Sequence, residues 1–188
     1  LYGIPGTIAG AVSMNAGAFE REIMPYVHSL DLLDENGTIY TLKNNEIAYS
    51  YRTSKINEKS IIISVKLFKQ TTNFDMNLLN LLNQKRKISQ PINQLSCGCI
   101  FKNPSGDYAA RLIDSAQLKG SRAGGIYISH KHSNYFINDG SGTYTDFLIL
   151  LRRVKEIIAS KFSVKLDEEV ILLKWTRIVI FVFWEAAG

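Results

Sequence analysis

Cysteine is scarce in this 188-residue chain, and the two present, Cys97 and Cys99, flank a single glycine. That gap is too short for an ordinary disulfide framework or for a CxxC redox or zinc pair. No metal site is expected, and a reducing setting is the natural one. Long apolar runs are also missing. Ile178 to Trp184 spans seven residues, far short of the roughly 20 that a membrane helix needs, so no membrane association is expected. The start lacks the basic segment of a signal peptide, and Gly3, Pro5 and Gly6 interrupt its apolar residues. The chain opens on Leu1 rather than Met, which reads as a fragment or an incomplete gene. No internal repeat or low-complexity tract is visible.

What is present has the balance of a globular protein: 46% hydrophobic, 21% charged and 11% aromatic residues. Disorder, collagen and coiled coil are thereby excluded. The length suits one domain or two small ones. The net charge of +5 is uneven, because residues 1–70 carry as many acidic as basic side chains and the surplus lies in residues 71–188. A basic second part suits an anionic partner. No basic stripe interleaved with aromatics is found, so a phosphorylated small molecule is preferred to nucleic acid.

The opening, Gly3 to Ala11 and on to Ala18, is rich in small residues and reads as a loop leading into a short helix. Strands are predicted at Val27–Leu33, 38–42 and Ile61–Leu67, with Asp34-Glu35-Asn36-Gly37 as a tight turn. Helices are predicted over 74–88, ending in Lys85-Arg86-Lys87, and over 107–118. Short strands at 125–129 and 135–138 precede the clearest helix. That helix opens on a Thr143/Asp146 capping box and carries Phe147, Leu150, Leu151, Val154, Ile157, Ile158 and Phe162 at helical spacing. Residues 164–173 read as a last strand. The tail, 176–188, has no assigned role.

Taken one by one, the residues with chemical potential have ordinary readings. Arg52 is a surface arginine after a strand, Cys99 a small buried filler, Glu168 and Glu169 a solvated acidic run, and His130 and His132 exposed loop residues. The glycine-rich opening lacks GxGxxG spacing after a strand, so it is no Rossmann fingerprint.

The order of motifs changes those readings. GIPGTIAGAVSMNAGAF (3–19), YSYRTS (49–54), QP (90–91), CGCIFKNP (97–104), ARLID (110–114), LKG (118–120), GGIYIS (124–129) and LDEEV (166–170) follow one another. In sequence and spacing they resemble the UDP-N-acetylenolpyruvoylglucosamine reductase family over residues 1–175, in its shorter, second type. The resemblance implies an α+β fold, with the C-terminal part of a PCMH-type FAD-binding domain over 1–70 and an α/β substrate-binding domain over 71–175. It further implies NADPH-dependent, FAD-mediated reduction of UDP-N-acetylglucosamine enolpyruvate to UDP-N-acetylmuramate, a cytoplasmic step of peptidoglycan precursor synthesis.

By the same matching, FAD contacts fall on Gly3, Ile4, Pro5, Gly6, Thr7, Gly10, Asn15, Ala16 and Gly17. Arg52 stands at the catalytic arginine, where a planar guanidinium grips a carboxylate bidentately. Cys99 stands where the family usually has a proton-donating serine. A free thiol, with a pKa of about 8.5, is mostly protonated at neutral pH and is a stronger acid than an alcohol. Glu169 matches the late glutamate that helps orient or stabilise the enolic intermediate, and Glu168 occupies a usual proline position. Tyr51, Arg86, Lys87, Asn103 and His132 match or neighbour substrate-binding positions, whereas Cys97 is expected only to pack. Ala9 and Ala110 each replace a usual glycine. Arg52, Cys99 and Glu169 are thus expected to share one pocket beside the flavin.

The family's N-terminal segment, with the other half of the flavin cradle, does not precede Leu1. The alternative expectation is therefore a non-catalytic remnant that binds a UDP-sugar but not flavin.

Overall fold

The computed structural model describes residues 3–69 and 75–173. The chain divides into two compact units, Leu1–Leu79 and Asn80–Gly188. The boundary falls inside a helix, α2 (Met76–Ser89), whose last turn carries Arg86 and Lys87 and none of whose residues is buried. The fold is α+β, and the named strands of both units pair antiparallel.

In the first unit, β1 (Val27–Leu33) lies at the centre of a three-stranded sheet, between β2 (Ile39–Lys43) and β3 (Ile61–Leu67). Asp34 builds the β1–β2 turn. Its carboxylate accepts the N–H groups of Asn36 (2.9 Å) and Thr38 (2.8 Å), while Gly37 takes φ +81°. Such a positive φ is cheap for glycine and strained for most other residues. Helix α1 (Ile8–Ser13) starts at Thr7, whose hydroxyl accepts the Gly10 N–H at 3.0 Å. Its Val12 packs with Ile23, Met24, Val27, Leu30, Leu32 and Ile47 to form this unit's core.

The second unit holds α3 (Ala109–Ser115), a sheet of β4 (Arg122–Ala123), β5 (Ile126–Ile128) and β6 (Phe136–Asn138), and α4 (Tyr144–Phe162). The capping box opens α4 as its sequence predicts. Thr143 Oγ1 accepts the Asp146 N–H, and the Asp146 carboxylate accepts the Thr143 N–H. The apolar stripe Phe147, Leu150, Leu151, Val154 and Ile158 buries against Ile100, Phe101, Leu112, Ile113 and Phe136. That 3.6-residue periodicity is what holds the helix on the sheet.

Residues 99–101 form the seam of this unit. Cys99 bridges Tyr135 on one side and Phe101 bridges Glu168 on the other, both antiparallel. The buried Asn134 locks the seam from three atoms. Its backbone oxygen accepts the Ile100 N–H (2.9 Å), its Oδ1 accepts the Phe101 N–H (3.0 Å), and its Nδ2 donates to the Phe101 carbonyl (2.8 Å). Lys102 N–H donates to the Asp167 carbonyl (2.9 Å) and Glu169 N–H to the Ile100 carbonyl (2.8 Å).

The strand expected over 164–173 does not form. Its pairing is confined to the Phe101–Glu168 bridge and the two flanking bonds, Leu166 turns into the core, and Ile171 is 85% exposed. Without a sustained ladder, strand-like residues do not make a strand. The tail expected as an apolar element lies outside the described residues.

Replacing Asn134 with alanine leaves the buried N–H and C=O of Phe101 without their partners. Each such loss costs about 1–3 kcal/mol, so Asn134→Ala should lower unfolding stability by roughly 2–4 kcal/mol, read as a lower denaturant midpoint. An unchanged midpoint would show that the clamp is dispensable.

Candidate active site

In the first unit, the structure sorts the predicted flavin contacts into two groups. Gly3, Pro5, Gly6, Thr7 and Gly10 are exposed and Ile4 is half-buried, with Gly3 at φ +74° and Gly6 at φ +128°. A Cβ on Gly6 would meet nothing within 4 Å, so its backbone is open to approach from outside. Asn15 and Ala16 are instead buried. A Cβ on Gly17 would lie 2.0 Å from the Arg21 carbonyl oxygen, so this glycine is already required by the adjoining hairpin of Gly17–Ala18 with Arg21–Glu22.

Asn15 ties this loop to Arg52. Its Nδ2 donates to the Glu22 carboxylate (2.8 Å) and to the Ser50 carbonyl (2.9 Å), and its Oδ1 accepts the Met24 N–H (3.2 Å). Ser50 precedes the turn Tyr51-Arg52 that links Tyr49–Ser50 to Thr53–Ser54. Arg52 sits at that turn with φ +53°, a conformation that costs a non-glycine residue on the order of 1 kcal/mol or more. Its Nη2 donates to the Gly17 carbonyl at 2.6 Å, and its guanidinium carbon lies 4.9 Å from the Tyr51 ring centre. The catalytic-arginine candidate and the glycine motif are therefore one hydrogen-bonded assembly, bordered by the exposed side chains of Met14, Phe19, Tyr49 and Tyr51.

In the second unit, Cys99 is half-buried at the seam, just after Gly98 at φ +83°. Cys97, expected to pack, keeps part of its surface exposed, while burial pushes its thiol pKa up. Tyr135, which the sequence reading passed over as a strand residue, is the partner of Cys99. Its phenol is pushed well above the usual range, chiefly by burial, then by the charge of Cys99 and a hydrogen bond with it. Glu169 acts in the same direction and Arg86 against it. A thiol, a carboxylate and a guanidinium thus each lie within electrostatic reach of the Tyr135 phenol. Of the three expected catalytic residues, the second unit carries Cys99 and Glu169, and Arg52 belongs to the first.

Glu168 and Glu169 have different partners. Lys155 Nζ on α4 donates to Glu168 Oε1 at 2.6 Å. Burial is the largest single influence and would raise the Glu168 pKa, but the Lys155 bond, a backbone hydrogen bond and the charges of Lys155 and Lys165 together hold the carboxyl below its ordinary value. Glu169 is the carboxylate felt by Tyr135. The His132 ring meets Tyr135 edge-on at 4.8 Å, its Nδ1 accepts the Asn134 N–H (3.3 Å), and burial pushes its pKa below the usual value.

The anion-binding candidates separate as well. Arg86 Nε donates to Gln90 Oε1 (3.2 Å). Lys87 instead lines a cavity of about 580 Å³ with Gln94, Tyr127, His130 and Lys131, and its carbonyl accepts Lys131 Nζ at 2.5 Å. Asn103 Oδ1 accepts the Ala109 N–H (3.1 Å) and so satisfies the first turn of α3. Among the described residues, no group of three or more His, Cys, Asp or Glu side chains could hold a metal ion, and no helix is long and apolar enough to cross a membrane.

Residues 90–173 match the sequence model of the UDP-N-acetylenolpyruvoylglucosamine reductase C-terminal domain. The UDP-N-acetylenolpyruvoylglucosamine reductase of Fusobacterium nucleatum is 38% identical over 174 residues, covering 93% of this chain and 62% of its own. That of Caldanaerobacter subterraneus is 40% identical over 171 residues, covering 89% and 57%. The crystal structure of the Thermus caldophilus reductase matches with a TM-score of 0.78 at 33% identity, covering 89% of this chain and 60% of that one. The chain thus spans roughly three-fifths of the length of these relatives.

The Glu168–Lys155 pair gives a pH test. A carboxyl depressed in the folded state adds stability above its unfolded pKa of about 4.3, and that stability is lost as pH falls through the folded value. Both side chains are 30% exposed, so the contribution is at most about 1 kcal/mol. Lys155→Met should cost up to that amount at pH 7, with the penalty shrinking as pH falls below about 4. A penalty independent of pH would assign Lys155 to packing alone.

Proposed function

Because this chain belongs to the UDP-N-acetylenolpyruvoylglucosamine reductase family, we propose that it carries the proton-donating and substrate-binding machinery for NADPH-dependent, FAD-mediated reduction of UDP-N-acetylglucosamine enolpyruvate. The observation that carries this reading is the grouping of Cys99, Glu169 and Arg86 around Tyr135, on a seam fixed by Asn134. A half-buried thiol among charged side chains fits an acid better than a packing filler.

The residues of the glycine loop fit a flavin. The exposed, side-chain-poor backbone of Gly3 and Gly6 is open to a bulky ligand, and the exposed aromatics nearby suit a planar ring. Gly3, Ile4, Pro5, Gly6, Thr7 and Gly10 would hold FAD directly, with Asn15, Ala16 and Gly17 shaping the loop from within. When bound, FAD supplies the hydride to the enolpyruvyl double bond and is itself reduced by NADPH.

The chain's own residues then have separate tasks. Hydride addition places charge on the carbon next to the substrate carboxylate, spread as an enolate. Arg52 balances that charge through a bidentate grip. Cys99 gives its proton to the carbon, leaving a thiolate that solvent later reprotonates. Glu169 orients the enolic group, while Glu168 stays with Lys155 on α4. Arg86, Lys87 and Asn103 serve the diphosphate, and Tyr51 and His132 contact the sugar or enolpyruvyl part. The setting is the cytoplasm, where peptidoglycan precursors are made.

Turnover assays test these assignments. Cys99→Ala should cut turnover by about 10²-fold or more while NADPH still reduces the flavin, and Cys99→Ser should retain measurable turnover. Arg52→Ala should lower kcat by about 10²–10³-fold. Product protonation in Cys99→Ala as fast as in the parent would remove the thiol from the mechanism.

A further inference from the structure

We propose that Tyr135 is a positioning residue for Cys99, its hydroxyl held against the thiol by the antiparallel bridge between the two residues and stabilising the thiolate left after proton delivery. The inference rests on the reading of Cys99 as the proton donor.

The bridge makes Cys99 and Tyr135 a cross-strand pair, the arrangement in which two side chains meet on one face of a ladder. The backbone of Tyr135 is fixed on both sides. Its N–H donates to the His132 carbonyl (3.0 Å), and its carbonyl accepts the Ser129 N–H (2.9 Å). The His132 ring stands edge-on to the phenol at 4.8 Å and restricts its rotation. Ser129 in turn fixes the loop that carries His132, since its hydroxyl accepts the N–H groups of Lys131 (3.1 Å) and His132 (3.3 Å). The hydroxyl at the end of this braced ring hydrogen-bonds Cys99.

The surrounding charges set the direction of that bond. Arg86 comes from α2, Glu169 from the segment across the seam, and His132 from the loop beside the phenol. Burial and the charge of Cys99 keep the phenol protonated, so it acts as a donor. When Cys99 protonates carbon, the S–H bond breaks, a C–H bond forms and the electron pair remains on sulfur. The Tyr135 O–H then donates to that thiolate without giving up its proton. Solvent water restores the thiol. A hydrogen bond to the charged form alone makes Cys99 the stronger acid.

The test needs neither flavin nor substrate. In the chain carrying Cys97→Ser, the rate of Cys99 alkylation by iodoacetamide is followed against pH, and its midpoint reports the thiol. Tyr135→Phe should raise that midpoint by about one pH unit, whereas Tyr127→Phe should leave it in place. Replacing tyrosine by 3-fluorotyrosine, a stronger donor of nearly the same shape, should lower the midpoint in the parent. It thus keeps the test alive if Tyr135→Phe does not fold. A midpoint unmoved by both changes, or lowered by Tyr135→Phe, overturns the proposal. A midpoint that moves as expected, in a protein whose Cys99→Ala variant turns over normally, upholds the contact and overturns only the proton-donor role.

Discussion

The second unit depends on one side chain having both a donor and an acceptor at the right separation. Asn134 closes a two-point bond to the backbone of Phe101 with its amide, while its own carbonyl takes the N–H of Ile100. This makes a strand-like seam from residues too few to sustain a ladder. Serine carries its donor and acceptor on a single oxygen and lacks the separation that Asn134 uses, and aspartate would present no donor to the Phe101 carbonyl. Because Cys99 and Tyr135 stand immediately beside these residues, the same clamp sets the position of the thiol. Core packing reinforces it: Ile100 and Phe101 bury among residues of α3, α4 and the short sheet.

The first unit solves a similar problem with another buried asparagine. Asn15 joins the loop after α1 to the hairpin that presents Arg52, and Arg52 bonds back to Gly17. Arg52 holds a left-handed backbone at a turn that glycine or asparagine would occupy more comfortably. In both units the candidate residue is placed by a buried asparagine.

Much of this was legible in the sequence. The stripe from Phe147 to Phe162 and the Thr143/Asp146 pair define α4 because helical periodicity and capping are local signals. The β1–β2 turn is equally local, set by Asp34 and Gly37. The final strand misled because strand-like residues in 164–173 say nothing about whether a partner edge is available. Tyr135 was missed for the opposite reason. Its only signal is its cross-strand register with Cys99, 36 positions away, which no spacing rule discloses. The motif order could nominate Glu168 and Glu169 together, but only Lys155, reaching across from α4, tells them apart.

The account turns on Cys99 as the acid that completes the reduction. A crystal structure of the protein with FAD and the enolpyruvyl UDP-sugar bound measures this directly. The Cys99 sulfur is expected within about 3–4 Å of the carbon that is protonated. A substrate seated with that carbon beyond reach of the thiol, and beside water or another acid instead, would contradict it.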